Sequence, residues 1–213
     1  MNSELLNDIL LAFLAQSGWE WLAASLGILY VVLAAKESIW CWPAAFASTA
    51  IYTVLFWEGQ LPMQALLNLY YMGMAVYGFL LWNKASTNQQ AVQISRRSFK
   101  FHFLFISAGL VITAITGTYL TSIPEMRLPY LDALVMVFSV MTTVLMARKV
   151  IENWLYWIVI DSFAIALYWQ TGFYVTIIMF LVYLVLAVYG YLNWLKLQNL
   201  SNQPAPNLMQ INQ

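Results

Sequence analysis

Long apolar stretches separated by short polar breaks dominate the chain, and the stretches have the length of membrane spans. A spanning helix needs about 20 mostly apolar residues. Seven stretches fit, at about Trp19–Ala35, Ile39–Trp57, Leu61–Asn83, Phe101–Thr121, Leu131–Ala147, Glu152–Gly172 and Phe173–Leu195. The breaks are Lys36-Glu37, Glu58-Gly59, the connector KASTNQQAVQISRRSFK, and the turn IPEMRLP with its two prolines. The pattern predicts an all-α integral membrane protein with seven transmembrane helices. It divides into an N-terminal segment (1–17), a first three-helix unit (18–83), a basic connector (84–100), a linking fourth helix (101–121), a second three-helix unit (130–195) and a polar tail (196–213). The end of the tail, with two prolines among polar residues, reads as disordered.

The two three-helix units align on each other. A shift of 112 residues lays Gly18–Trp82 over Tyr130–Trp194 without a gap, with 16 of 65 positions identical. The identities gather on aromatic positions: Trp42 on Trp154, Trp57 on Trp169, Tyr71 on Tyr183, and AVYG on AVYG (Ala75–Gly78 on Ala187–Gly190). With one helix between them, the two copies keep the same orientation. Parallel repeats of this kind are a known transporter plan, with the substrate site near the midplane between them.

Composition sharpens the class. The 213 residues are 62% hydrophobic and only 8% charged, whereas a soluble domain carries about 25% charged residues. Formal net charge is zero, which argues against nucleic acid as a partner; the lipid bilayer is the expected one. The start, with Glu4 and Asp8 and no basic residue, does not read as a signal peptide. Cys41 is the single cysteine and has no partner for a disulfide or thiolate metal site. No phosphate loop, dinucleotide fingerprint or nucleophile elbow is present. The reading is therefore not an enzyme, with no cofactor and no metal, although a membrane enzyme or a structural membrane subunit remain rivals. A homo-oligomer is compatible with the sequence.

The charges also set the topology. Lys36, Lys84, Arg96, Arg97, Lys100, Arg148, Lys149 and Lys196 fall on one side of a seven-helix thread, and only Arg127 on the other. The positive-inside rule places the N-terminus outside, in the periplasm, and the C-terminus in the cytoplasm.

Candidate chemistry centres on the sixth stretch, ENWLYWIVIDSFAIALYWQTG. Trp154, Trp157, Asp161 and Tyr168 share one face of a helix of 3.6 residues per turn. A carboxylate at membrane depth is costly and marks a functional site by default. Rings beside it can hold a flat cation by stacking and charge. Trp154 and Trp157 also suit an aromatic belt at the interface. Asn68 and Tyr71 on the third helix, and Tyr183, Tyr189 and Asn193 on the seventh, are further candidates for a cavity wall; the amides suit interhelical hydrogen bonds equally well. In the first copy Thr49 and Ala45 stand where the second has Asp161 and Trp157, so the site is lopsided. Glu20 and Asp132, opening the first and fifth helices, suit the positive end of a helix dipole. His102 is alone and beside the basic connector, which does not make a zinc site.

The string TTVLMARKVIENWLYWIVID, the aromatic sixth helix, Asp132 and the paired VYG motifs resemble the PnuC family of bacterial vitamin transporters, over about Gly18 to Trp194. The resemblance implies a three-plus-one-plus-three architecture related to the SWEET sugar transporters. It also implies facilitated, downhill uptake across the inner membrane, with cytoplasmic phosphorylation trapping the product. Nicotinamide riboside is the family's main substrate; a PnuT branch carries thiamine, and other members riboflavin. Members that carry nicotinamide riboside tend to have asparagine where this chain has Asp161 and Tyr189. A pyridinium and a thiazolium both suit a carboxylate. The lost amide tilts toward thiamine and the family's main substrate the other way, so nicotinamide riboside is expected by family default, with thiamine a nearly level alternative.

Overall fold

The computed structural model describes residues 11, 17–58, 62–87, 92–123, 128–171 and 174–201. Among them are seven helices: α1 (Gly18–Ala35), α2 (Cys41–Glu58), α3 (Pro62–Thr87), α4 (Phe99–Leu120), α5 (Pro129–Ala147), α6 (Asn153–Thr171) and α7 (Tyr174–Ser201). Five are long and apolar enough to cross a membrane by composition alone; α2 and α6 are not among those five. The protein is a multi-pass membrane protein.

Local chemistry sets the helix ends. Ser17 caps α1 through a reciprocal bond with Glu20, so Glu20 closes a capping box. Ser98 caps α4, and Pro129 opens α5 at a position where a missing N–H costs nothing. Several hydroxyls inside the spans are satisfied by their own helix. Thr49, Thr143 and Ser162 donate to the carbonyls of Ala45, Ser139 and Ile158 at 2.7–2.8 Å, as hydrocarbon requires of every polar group.

The helices close a ring of six. α1 packs on α2 and α7, α2 on α3, α3 on α5, α5 on α6, and α6 on α7; α4 lies outside against α5. Phe138 and Tyr130 of α5 rest against Gly109 and Gly117 of α4, where a β-carbon would lie 2.5 and 2.3 Å from their rings. α2 and α6 stand across the ring and do not touch.

One end of the ring is tied shut. Four tryptophans meet there: Trp42 is edge-on to Trp82 (5.3 Å, 86°), Trp154 edge-on to Trp194 (5.5 Å, 90°), and Trp82 lies 6.4 Å from Trp194. Trp82 donates to the Ala147 carbonyl at 2.8 Å, and Trp194 to that of Ala34 at 3.0 Å. The corners that follow α1 and α5 have matching geometry. Ser38 N–H bonds Leu33 O and Val150 N–H bonds Leu145 O, while Glu37 and Lys149 take left-handed φ values of 58° and 51°. This is the helix stop that usually uses glycine.

Two boundaries differ from the sequence expectation. α3 runs on to Thr87, into the expected connector. α7 continues to Ser201, past the expected end at Leu195. Leu195 and Leu197 still pack on the core, and Gln198 donates to Ile94 O of the connector, so the last turns are held. Ser95 pairs with the α5–α6 corner through bonds of 2.9 Å to Lys149 O and from Ile151 N–H. The N-terminal segment before Leu11, Arg127 and the tail beyond Ser201 lie outside the described residues.

Candidate functional site

α6 presents Trp154, Trp157, Asp161, Ala164 and Tyr168 along its inner face, while Leu155, Val159, Phe163 and Trp169 on the other sides are exposed. Asp161 is 3% exposed. Among the described residues the ion pairs are Lys149–Glu37 and His102–Glu152, and neither involves Asp161. Taking a carboxylate out of water costs several kcal/mol unless a countercharge or hydrogen bonds offset it. Asp161 therefore lies buried with no basic partner among the described residues. A structural role through an internal salt bridge has no support here.

Tyrosine hydroxyls from around the ring lie within electrostatic reach of one another and, through Tyr183, of this acid. Tyr183 of α7 interacts electrostatically with Asp161 and with Tyr52 of α2. Tyr30 of α1 interacts with Tyr71 of α3 and with Tyr183. Tyr71 lies within polar reach of Ser139 of α5 and of Tyr168 of α6. All six helices of the ring thus contribute to one polar interior. Its rings are ordered too: Tyr168 stacks on Phe180 at 5.4 Å, and Phe180 meets Tyr183 edge-on at 5.9 Å. Acids extend from it in one direction, since Asp132 interacts with Tyr168 and Glu20 with Tyr52.

The sequence candidates divide between this interior and other places. Asp161, Tyr71, Tyr168 and Tyr183 are brought together. Trp157 lies one turn before Asp161, half-buried against the core. Trp154 is 1% exposed and belongs to the tryptophan cluster at the closed end, seated on Gly190. Asn193 donates to the Ala35 carbonyl at 2.8 Å and ties α7 to the end of α1. Asn68 turns its amide back to Gln64 O of its own helix at 2.9 Å. Tyr189 falls on the exposed apolar stripe of α7 with Val182, Val185 and Leu192. Tyr30, Ser48, Tyr52 and Ser139 were missed by sequence reasoning. A signal existed for Ser139: the 112-residue shift that pairs Tyr71 with Tyr183 also pairs Gly27 with Ser139.

His102 finds a structural place. Its Nδ1 lies 2.9 Å from the Tyr156 hydroxyl and its Nε2 3.9 Å from Glu152, joining α4 to the start of α6. Among the described residues no group of three or more histidine, cysteine or acidic side chains could hold a metal.

Comparison with known proteins agrees with this architecture. Residues 17–196 match the family described as nicotinamide mononucleotide transporter. The nicotinamide riboside transporter PnuC of Neisseria mucosa is 29% identical over 193 residues, spanning 83% of this chain and 73% of that protein. The Escherichia coli PnuC is 22% identical over 79% of this chain and 81% of its own length. A riboflavin/roseoflavin transporter RibM of Streptomyces davaonensis is 24% identical, over 79% of this chain and 80% of its own. The crystal structure of a vitamin B3 transporter PnuC superposes with a TM-score of 0.71 at 27% identity, covering 92% of this chain and 89% of that one.

Proposed function

The chain belongs to the nicotinamide mononucleotide transporter family, and on that footing we propose that it is a facilitator for uptake of nicotinamide riboside, with Asp161 as the seat of the substrate's cationic ring. The observation that carries a cationic substrate is the burial of Asp161 without a basic partner among the described residues. Because riboside carriers tend to have asparagine there, the choice of riboside rests on the relatives. The relatives named as nicotinamide riboside transporters support the choice of substrate. Asp161 pairs with the pyridinium charge, Trp157 stacks on its face, and Tyr71, Tyr168 and Tyr183 offer hydroxyls and rings to the rest of the molecule. Trp154 and Asn193 serve the closed end instead.

Transport follows from two three-helix units, α1–α3 and α5–α7, joined by α4 and rocking against each other around the site. Support comes from the gap-free alignment at 112 residues and from the matching corners at Glu37 and Lys149. The tied end, by the distribution of lysine and arginine, faces the cytoplasm, so the N-terminus is periplasmic and the C-terminus cytoplasmic. Net uptake is downhill, and phosphorylation inside the cell traps the product.

Thiamine is the second reading, because a buried carboxylate suits a thiazolium as well as a pyridinium. Uptake of labelled nicotinamide riboside, in cells lacking their own uptake systems, tests the assignment. Saturable uptake that excess thiamine does not displace supports it. Saturable thiamine uptake with none of the riboside replaces it with the second reading.

A further inference from the structure

Tyr183 stands on α7, next to the helix that carries Asp161, and its position depends on a missing side chain. A β-carbon on Gly27 of α1 would lie 2.8 Å from the Tyr183 hydroxyl oxygen and 3.4 Å from Ser48 Oγ. The first distance is well inside contact. Ser48 cannot give way freely, since its hydroxyl donates to the Ala23 carbonyl at 2.7 Å and the side chain is 4% exposed. Further back, the edge contact of Phe180 holds the Tyr183 ring. The tyrosine tip is thus the part that a larger residue at position 27 would move.

The other half of the molecule shows the alternative. Ser139 is the residue 112 positions after Gly27, and Tyr71 the one 112 before Tyr183. There the α5 serine lies within polar reach of the α3 tyrosine. At Gly27 itself there is no side chain, and Tyr183 lies within electrostatic reach of Tyr30, Tyr52 and Asp161. One tyrosine faces a serine of its neighbouring helix; the other faces the bare backbone of a glycine.

We infer that Gly27 is a positioning residue for the substrate site, setting the Tyr183 hydroxyl against α1 so that it remains beside Asp161 and available to a bound cationic nucleoside. The inference rests on the proposed site at Asp161. Gly27 does not touch the substrate itself. A methyl group there displaces the hydroxyl from this seat.

Saturation curves for labelled nicotinamide riboside, in proteoliposomes carrying wild type, Gly27→Ala, Tyr183→Phe and the double variant, test this. Gly27→Ala raises KM about tenfold with kcat changed less than twofold. In the Tyr183→Phe background, which lacks the clashing oxygen, Gly27→Ala adds less than a twofold change. If Gly27→Ala fails to insert while the double variant inserts, the same contact is reported. An unchanged KM in Gly27→Ala overturns the inference, as does an equal loss of KM or of insertion with and without the Tyr183 hydroxyl, which assigns Gly27 to helix packing. Asp161→Asn, run alongside, separates the two readings. Transport unaffected by that change removes the site itself, whereas transport lost there but indifferent to Gly27→Ala removes only this inference.

Discussion

Lys149 Nζ lies 2.6 Å from Glu37 Oε1, and the two residues stand 112 positions apart, the spacing at which the sequence aligns on itself. Each occupies the left-handed position of its own helix stop, where a non-glycine residue costs about 1–2 kcal/mol. The pair joins the α1–α2 corner to the α5–α6 corner. Lys149 also lies over the Trp82 ring, 4.4 Å from its centre, so one cation holds both the opposite corner and the end of α3. If the two units rock, this contact must break.

Glu37→Gln should therefore loosen the tied end. For a pair between the surface and the interior the loss is about 1–2 kcal/mol, or roughly tenfold in the open population. Cys41 reports it, being the single cysteine, fully buried, and in electrostatic contact with Lys149. A membrane-permeant maleimide should label Cys41 about ten times faster in Glu37→Gln than in wild type. Equal rates would show that the ion pair does not guard this end.

Glycines at the closed end should be intolerant of a methyl group, and a glycine with open surroundings should not. A β-carbon at Gly190 would lie 2.7 Å from the Trp154 ring, whereas at Gly73 nothing lies within 4 Å. Gly190→Ala should lower stability by about 1–3 kcal/mol through overpacking. Gly73→Ala should be neutral or raise it by up to about 1 kcal/mol through helix propensity. Thermal unfolding in detergent checks both; equal behaviour would contradict the packing described.

The two tryptophans of α6 should separate by phenotype. Trp154 is enclosed by the tryptophan cluster, so Trp154→Ala should cost about 3–5 kcal/mol of stability. Trp157, half-buried and one turn from Asp161, should act on substrate. Trp157→Ala should weaken riboside binding by about 1–3 kcal/mol, the usual worth of an aromatic stack, as read by titration of purified protein. Binding unchanged in Trp157→Ala would remove it from the site.

Hydropathy made five of the seven helices legible as spans, because long apolar stretches have few alternatives in a bilayer; α2 and α6 fall short by composition and were legible from the polar breaks around them. Asp161 was legible for the same reason, as an acid where hydrocarbon was expected. Tyr71 and Tyr183 were legible because they coincide under the 112-residue shift. Helix ends were less so: α7 outruns its apolar stretch because Leu195, Leu197 and Gln198 pack on the core and connector, contacts that no local pattern encodes. The role of Trp154 was hidden similarly, since helical spacing puts it on the Asp161 face but cannot tell that Trp194 and Gly190 enclose it. Asn68, Asn193 and Tyr189 show the same limit. Two satisfy their amides on backbone carbonyls, and the third faces outward.

The central claim is that the buried Asp161 carboxylate holds a cation. Calorimetric titration of nicotinamide riboside into purified wild type and Asp161→Asn measures it directly, because asparagine keeps the shape and removes the charge. A charge-assisted contact is worth about 1.5–3 kcal/mol, so the variant should bind about 10- to 100-fold more weakly while remaining folded. Equal affinity in the two proteins would contradict the account.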